Sequence, residues 1–290
     1  MHMLLSLTLM HDAELSLSCS PSLATKQKHA SLQHWNTATG LFNRILADPI
    51  PPSYQDAIWA TGIFLGAASF WYVESTSVEN VWPLKPGDPS DLTWLRLGEG
   101  KRHLQRIADP TRPESLFSAM FKDKSRTNLS DWMETNNTSR ISSRVKKVFN
   151  ITLDSTSTNN VYYLPVLILS RIQTMRFTQE NTLKSLYVTT SVRPEFLMLL
   201  EDKDPRAVFI LAWWFTMLKD GELWWMARRA KVEGEAARIW LQREDPGLAE
   251  LLESLARDAV VIDVITTEPQ LPEPTWVRPW EASLPTIEAN

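Results

Sequence analysis

The chain has 290 residues, of which 43% are hydrophobic, so it can bury a sizeable core as one large domain or two modest ones. Its formal net charge of −4 does not support a large basic surface for nucleic acid, and its nine glycines are too few for Rossmann-type folds, barrels or β-sandwiches with many tight turns. A single cysteine, Cys19, excludes an intramolecular disulfide framework and a zinc site with several cysteines, and it favours an intracellular compartment, the cytoplasm or the nucleus.

Apolar residues recur at helical spacing along most of the chain, and prolines separate one helical stretch from the next. Residues 57–71 are apolar on nearly all sides, which predicts a helix at the centre of the fold. We therefore expect an all-α single domain over residues 1–268, with about nine to eleven helices. The predicted helices cover residues 3–18, 23–46, 54–74, 91–107, a short piece within 111–121, 161–176, 178–190, 195–200, 205–218, 222–243 and 248–258.

Two segments are expected to lie outside this helical core. Residues 122–160 change in composition to serine, threonine, asparagine and charged residues, which bury too little apolar surface to offset the entropy of ordering. We expect a polar, partly disordered insertion there, and its basic residues favour a solvated helical face over a phosphate site. Residues 269–290 are rich in proline and predict a C-terminal tail. The basic residues are Arg140, Arg144, Lys146 and Lys147.

Two tryptophan pairs lie in a predicted helix hairpin over residues 204–243. Asp204 has the short side-chain oxygen of a helix N-cap, Pro205 suits the first helical position, and Gly221 is expected at the C′ position that ends the first helix. Adjacent residues point about 100° apart on a helix, so each pair must bury more than one face. Two interpretations stay open: the rings only fill the core, or some of them line a cavity for a flat apolar ligand.

No motif in the chain predicts acid–base, nucleophilic or metal chemistry. The five histidines have no ligand spacing, and neither a His-Glu-x-x-His sequence nor a nucleophile elbow occurs. The carboxylates of residues 201–204 have the density of a magnesium site, but Lys203 lies among them and Asp204 is explained as a helix cap. We expect no metal and no cofactor, and the catalytic residues of any enzyme activity stay unknown. What remains is apolar shape, which can bind a rigid molecule or orient a flexible one for reaction.

Two parts of the sequence resemble the C-terminal regulatory domain of fungal zinc binuclear cluster transcription factors, most closely the sterol uptake control branch. The first part comprises residues 81–86 (VWPLKP) and 91–100 (DLTWLRLGEG). The second comprises residues 204–215 (DPRAVFILAWWF) and 224–230 (WWMARRA). The general run of helices extends the resemblance over about residues 3–245.

The resemblance implies an all-helical domain that holds an apolar ligand, ergosterol in the best-known branch, whose occupancy controls nuclear entry and gene activation. Such factors carry a cysteine-rich zinc cluster that binds DNA, and this chain has no such cluster, so we expect no direct DNA binding. Two kinds of protein partner stay open, a second copy of the chain and a separate DNA-binding protein. The resemblance implies a ligand pocket formed by Trp213, Trp214, Phe215, Met217, Trp224, Trp225, Phe64 and Trp71.

Two functions follow from these expectations. The leading hypothesis is a stand-alone ligand-binding domain without enzyme activity, which binds a sterol, a terpenoid or a polyketide in transcriptional regulation. The alternative is a cofactor-free cyclase or pericyclase, of the Diels–Alder or isomerase type, that uses the same pocket in a fungal secondary-metabolite pathway. No stretch reaches the ~18 uninterrupted apolar residues of a membrane span, so we expect none.

Overall fold

The computed structural model describes residues 1–122, 138–175, 177–178 and 182–265. Over these residues the chain forms twelve α-helices and three short 3₁₀-helices and contains no β-strand, which confirms the predicted all-α class. The helices are α1 (His2–Ser16), α2 (Pro21–Leu46), α3 (Gln55–Trp71), α4 (Thr93–Ala108), α5 (Ser118–Lys122), α6 (Ser143–Val148), α7 (Tyr163–Ile172), α8 (Thr182–Ser191), α9 (Pro194–Glu201), α10 (Pro205–Leu218), α11 (Trp224–Glu244) and α12 (Pro246–Ile265), and the 3₁₀-helices are Pro52–Tyr54, Val78–Asn80 and Thr138–Arg140.

Helix α10 lies at the centre of the fold. Its residues from Ala207 to Phe215 are all buried, and it packs against α7, α9, α11 and α12. The sequence predicted a deep position for the hairpin that contains α10, and it also predicted a central position for α3, because that helix is apolar on nearly all sides. In the structure residues 60–67 of α3 are only half-buried, since its neighbours α1, α2, α4 and α11 leave part of its apolar surface uncovered.

The ends of α10 agree only partly with the sequence. Asp204 caps the helix as predicted: its Oδ1 accepts hydrogen bonds from the backbone N–H groups of Arg206 and Ala207, at 3.1 and 3.0 Å. The hydroxyl of Tyr162 donates to the same oxygen at 2.8 Å, so this cap also ties α7 to α10. Gly221 follows the helix and donates its N–H to the carbonyl of Leu218, but its φ is not positive, so it does not have the left-handed conformation typical of C′ glycine.

Residues 123–137 of the predicted polar, partly disordered insertion lie outside the described residues, and within residues 138–160 several side chains pack into the core. Ile141, Val145, Phe149 and Ile151 are buried in the main core, and residues 143–148 form α6, a short helix that carries three of the four basic residues for which a solvated helical face was expected. The average composition of the segment is polar, so it gave no indication that these four apolar residues are buried. Arg144 and Lys147 of the basic cluster are exposed and Lys146 is half-buried, which agrees with a solvated face.

Helices α1 and α2 form an antiparallel hairpin on one side of the core. The hydroxyl of Ser6 donates to the carbonyl of Ser31 at 2.9 Å, and both residues are fully buried where the two helices cross closely. Helix α1 also packs against α3 and α11. Along the described part of the chain, no helix is long and apolar enough to cross a membrane, and the predicted tail at residues 269–290 lies outside that part.

Candidate functional site

The eight residues predicted for a ligand pocket lie in two hydrophobic clusters rather than one. The main core contains Trp213, Trp214 and Phe215, with Met217 packed against it. The second cluster lies between α1, α2, α3 and α11; it contains the fully buried Trp71, and two of the predicted residues pack against it. Trp225 contacts both clusters and joins them. The two residues packed against the second cluster are Phe64 and Trp224.

In the main core the aromatic rings contact one another directly. Trp214 stacks on Trp94 and on Phe215, with ring centroids 6.2 and 5.9 Å apart. Phe70 meets Trp94 and Trp214 edge-on at 4.9 and 5.6 Å. These separations are those of aromatic pairs in contact. The observed packing on this side therefore fits the first interpretation of the tryptophan pairs, in which the rings fill the core.

The rings of the second cluster have polar partners. The indole Nε1 of Trp71 donates to Glu14 Oε1 at 2.8 Å, and the guanidinium of Arg228 lies 5.0 Å from the Trp71 ring. Arg228 also pairs with Glu14, so one carboxylate joins α1 to both α3 and α11. The imidazole of His11 packs on Trp224 with centroids 5.1 Å apart. These contacts hold the α1–α2 hairpin against the rest of the domain.

A cavity of about 290 Å³ lies between the start of α1, the second half of α2 and the start of α3. Its inner wall is formed by the buried residues Met3, Ala38 and Ile58. Leu41 and Tyr54 are 44% and 49% exposed, so they mark its open side. None of the eight residues predicted from the sequence lines this cavity. It is lined by Met1, His2, Met3, Ala38, Leu41, Phe42, Ile45, Tyr54, Ala57, Ile58 and Thr61.

The cavity has three lining residues with polar side chains. The hydroxyl of Thr61 donates to the carbonyl of Ala57 in its own helix at 2.7 Å. Tyr54 lies at the open side. His2 is hydrogen-bonded through its Nδ1 to Nδ1 of His34, at 2.9 Å, and the two imidazole rings are 5.1 Å apart. No acidic, lysine or arginine side chain lines the cavity, so its side-chain walls are suited to an apolar occupant.

The strongest electrostatic feature of the described residues is a buried ion pair within α11. Arg229 pairs with Glu233, and it also donates to the carbonyls of Ser69, Phe70 and Tyr72 at the end of α3. Burial raises the pKa of Glu233 to about 7, although Arg229 opposes that rise.

Two polar atoms close to Arg229 have no hydrogen-bond partner. Oε2 of Glu233 is buried without a partner, and so is the indole Nε1 of Trp94, whose ring lies 4.7 Å from the guanidinium. Their common neighbour Arg229 joins α11 to the end of α3. Its hydrogen bonds to backbone carbonyls indicate that this site connects helices, and nothing around it forms a catalytic set.

The carboxylates of residues 201–204, considered above as a magnesium site, have other partners. Asp204 caps α10, Glu201 pairs with Arg96, and the Lys203 ammonium donates to the carbonyls of Pro83 and Lys85, at 2.7 Å each. Among the residues the structure describes, no group of three or more His, Cys, Asp or Glu side chains could hold a metal ion.

Comparison with known proteins found no match. The chain matches no protein-family model, and neither the curated proteins nor the solved structures contain a significant match to it. The resemblance to fungal zinc-cluster regulators therefore stays a hypothesis, and the class of protein defined so far is an all-α domain with an apolar cavity beside its N-terminal hairpin.

Sequence reasoning missed this cavity although part of its signal was present. Ala38, Leu41, Phe42 and Ile45 lie on one stripe of α2, a helix whose other faces are polar. The stripe predicts a buried face but not whether its partner helix covers it fully. That depends on how α3 approaches α2, which no local pattern encodes.

Proposed function

We propose that the protein binds a small apolar molecule in the cavity between α1, α2 and α3. The observation that carries this proposal is the cavity itself, which has apolar walls from three helices and an open side. Ligand sites are concave, mostly apolar and contain few polar groups, and this cavity has each of these properties. Burial of apolar ligand surface against these walls supplies the binding free energy.

The size of the cavity limits the ligand. Sites for drug-sized molecules have volumes of about 300–1,000 Å³, so a cavity of about 290 Å³ is at the lower limit of that range. A compact terpenoid fits this volume as a whole. A sterol or a polyketide would insert one end and leave the remainder at the open side, next to Leu41 and Tyr54.

The biological role in this proposal is ligand-dependent regulation of transcription inside the cell. It is supported by the resemblance of residues 81–100 and 204–230 to fungal regulatory domains, since ligand occupancy controls activity in that family. A ligand in the cavity would contact α1, α2 and α3 at once, and so change how firmly the hairpin is held. DNA contacts would come from a second protein.

Methyl NMR of purified protein with labelled methionines tests the proposal directly. Met3 lines the cavity, whereas Met226 is buried in the main core and serves as the internal control. On addition of farnesol or ergosterol, the Met3 methyl resonance is expected to shift in a saturable way, and the Met226 resonance is not. Absence of any saturable shift with both probes would refute the proposal.

A pair of variants locates the site. Ala38→Leu places a larger side chain in the cavity and is expected to weaken binding by at least about tenfold. Gly40→Ala, in the same helix, adds a methyl group that meets nothing within 4 Å, and binding should be unchanged. If Trp225→Leu abolishes binding and Ala38→Leu does not, the ligand lies between the aromatic clusters, as the sequence predicted.

The same samples test the alternative function. A cofactor-free cyclase would convert a linear polyene or terpenoid precursor into a product of equal mass and different retention time. Product formation that Ala38→Leu abolishes would assign the cavity to catalysis. Binding without turnover supports the regulatory function.

A further inference from the structure

We infer that the occupant of the cavity carries one alcohol or ketone group at one end, and that His2, held in place by His34, binds this group. The inference rests on the proposed function and makes it more specific, since it names the class of ligand. An amphiphile with a single hydrogen-bonding group is expected, and not a hydrocarbon.

The position of His2 is fixed by the helix hairpin. Its Nδ1 shares a hydrogen bond with Nδ1 of His34, and one turn further along α1 the hydroxyl of Ser6 bonds to the carbonyl of Ser31. Both contacts join the same two antiparallel helices. His34 lies one turn before Ala38 on α2 but does not itself line the cavity, so His2 is the member of the pair that reaches it.

The hydrogen bond between the histidines leaves His2 one free ring nitrogen. Because Nδ1 is bonded to His34, only Nε2 of His2 is available to an occupant, and it has no protein partner among the described residues. In one arrangement His34 donates, so His2 carries its hydrogen on Nε2 and donates to a ketone or hydroxyl oxygen. In the other, His2 donates to His34, and its Nε2 accepts from a hydroxyl group.

Among the side chains of the inner cavity, only that of His2 can donate a hydrogen bond to a ketone oxygen. The Thr61 hydroxyl already donates to the carbonyl of Ala57, and Tyr54 lies at the open side. A hydrocarbon would cover Nε2 of His2 without replacing the water it bonds, which costs binding free energy.

Three ligands with one carbon skeleton test this inference: menthol, menthone and p-menthane. Affinities are measured from the Met3 methyl shift, with the protein tagged at its C-terminal end so that His2 keeps its position. Menthol and menthone are expected to bind about tenfold more tightly than p-menthane, the factor for one hydrogen bond. His2→Phe keeps a planar ring without nitrogen and should remove this difference by weakening only the first two.

Two further variants separate recognition from folding. His34→Phe should reduce the preference for menthol, because it removes the partner that orients His2. His29→Phe is the matched control, since His29 is exposed on α2 and bonds only to Gln33 there. It should leave all three affinities unchanged. If His2→Phe does not fold, the ligand series on the unmodified protein still decides.

The outcomes distinguish this inference from the proposal beneath it. Equal affinity for the three molecules, unchanged by His2→Phe, would overturn the inference and leave the apolar binding function intact. Absence of any Met3 shift with these molecules and with the farnesol and ergosterol used above would overturn both. A preference for menthol that survives His2→Phe would assign the polar contact to another group, and the role of His2 would be wrong.

Discussion

Replacement of Arg229 should destabilise the protein far more than neutralisation of its partner Glu233. The two side chains are 5% and 6% exposed, and Arg229 also donates to three carbonyls at the end of α3. Arg229→Met leaves a buried carboxylate without its counter-charge and those carbonyls without their donor, a loss of about 3–5 kcal/mol in the free energy of unfolding. Glu233→Gln also leaves the buried Arg229 guanidinium without its counter-charge, but Arg229 keeps its three backbone carbonyl acceptors and an amide oxygen beside it, so we expect a smaller loss, about 1–2 kcal/mol at pH 8.

The same pair predicts a pH dependence with a definite sign. The pKa of Glu233 is raised to about 7 in the folded protein, against about 4.3 for an unperturbed glutamate. Between these values the folded state binds the additional proton, so the stability from this group is present at low pH and is lost as the pH rises towards 7. The loss is at most about 1.4 kcal/mol per pH unit. The free energy of unfolding of Glu233→Gln should lack this slope. It should therefore rise relative to that of wild type from pH 5 to pH 7.

Urea denaturation followed by circular dichroism at several pH values between 5 and 8 measures both effects. Glu235→Gln is the control, because Glu235 lies in the same helix but is partly exposed, and Arg238 holds its pKa below the ordinary value. The difference in unfolding free energy between Glu235→Gln and wild type should stay constant from pH 5 to pH 8. Equal losses for Arg229→Met and Glu233→Gln, or a Glu233→Gln difference that does not change with pH, would refute the reasoning.

Three further stability changes follow from local contacts and can be measured by the same denaturation assay. Asp204→Ala removes the acceptor of two backbone N–H groups and of the Tyr162 hydroxyl, and should cost about 1–2 kcal/mol; a cost near zero would contradict the cap. Gly234→Ala places a methyl group 2.9 Å from Cβ of Phe215 in the core, and should cost about 1–3 kcal/mol. Gly40→Ala meets open space on α2, and should stabilise the protein by about 0.5–1 kcal/mol. Similar results for both glycines would show that the close contact of Gly234 with Phe215 does not affect stability.

Much of the fold was predictable because its signals are local. Helical spacing, prolines and the Asp204 cap determine where helices lie, and their bounds agree within a few residues for the long helices α1 to α4. Prediction from the sequence failed where the packing of a segment depends on a few residues. Phe149 and Val145 anchor a segment whose average composition is polar, so the composition predicted disorder where the chain is packed.

The site was less predictable, since a cavity is a property of helix packing and not of any one helix. An excess of aromatic residues has two outcomes, a filled core or a lined space, and the sequence favours neither. In the structure Trp94, Trp214 and Phe215 stack in contact within the main core. The cavity lies instead where α2 and α3 present smaller side chains to each other, Ala38 and Ala57 among them.

The position of the cavity has a physical reason. Filling a space between fully buried rings of the main core would require rigid, closely packed elements to separate, which is costly. The α1–α2 hairpin is less buried, since Ala24, Ser31 and Ala38 are the only buried residues of α2. It joins the rest of the domain through the second cluster and through one carboxylate, Glu14, which bonds to both Trp71 and Arg228. Ligand-binding elements are drawn from the less stable parts of a fold because they must open to admit a ligand. The proposed binding function therefore places the ligand beside the hairpin and not within the tryptophan-rich core.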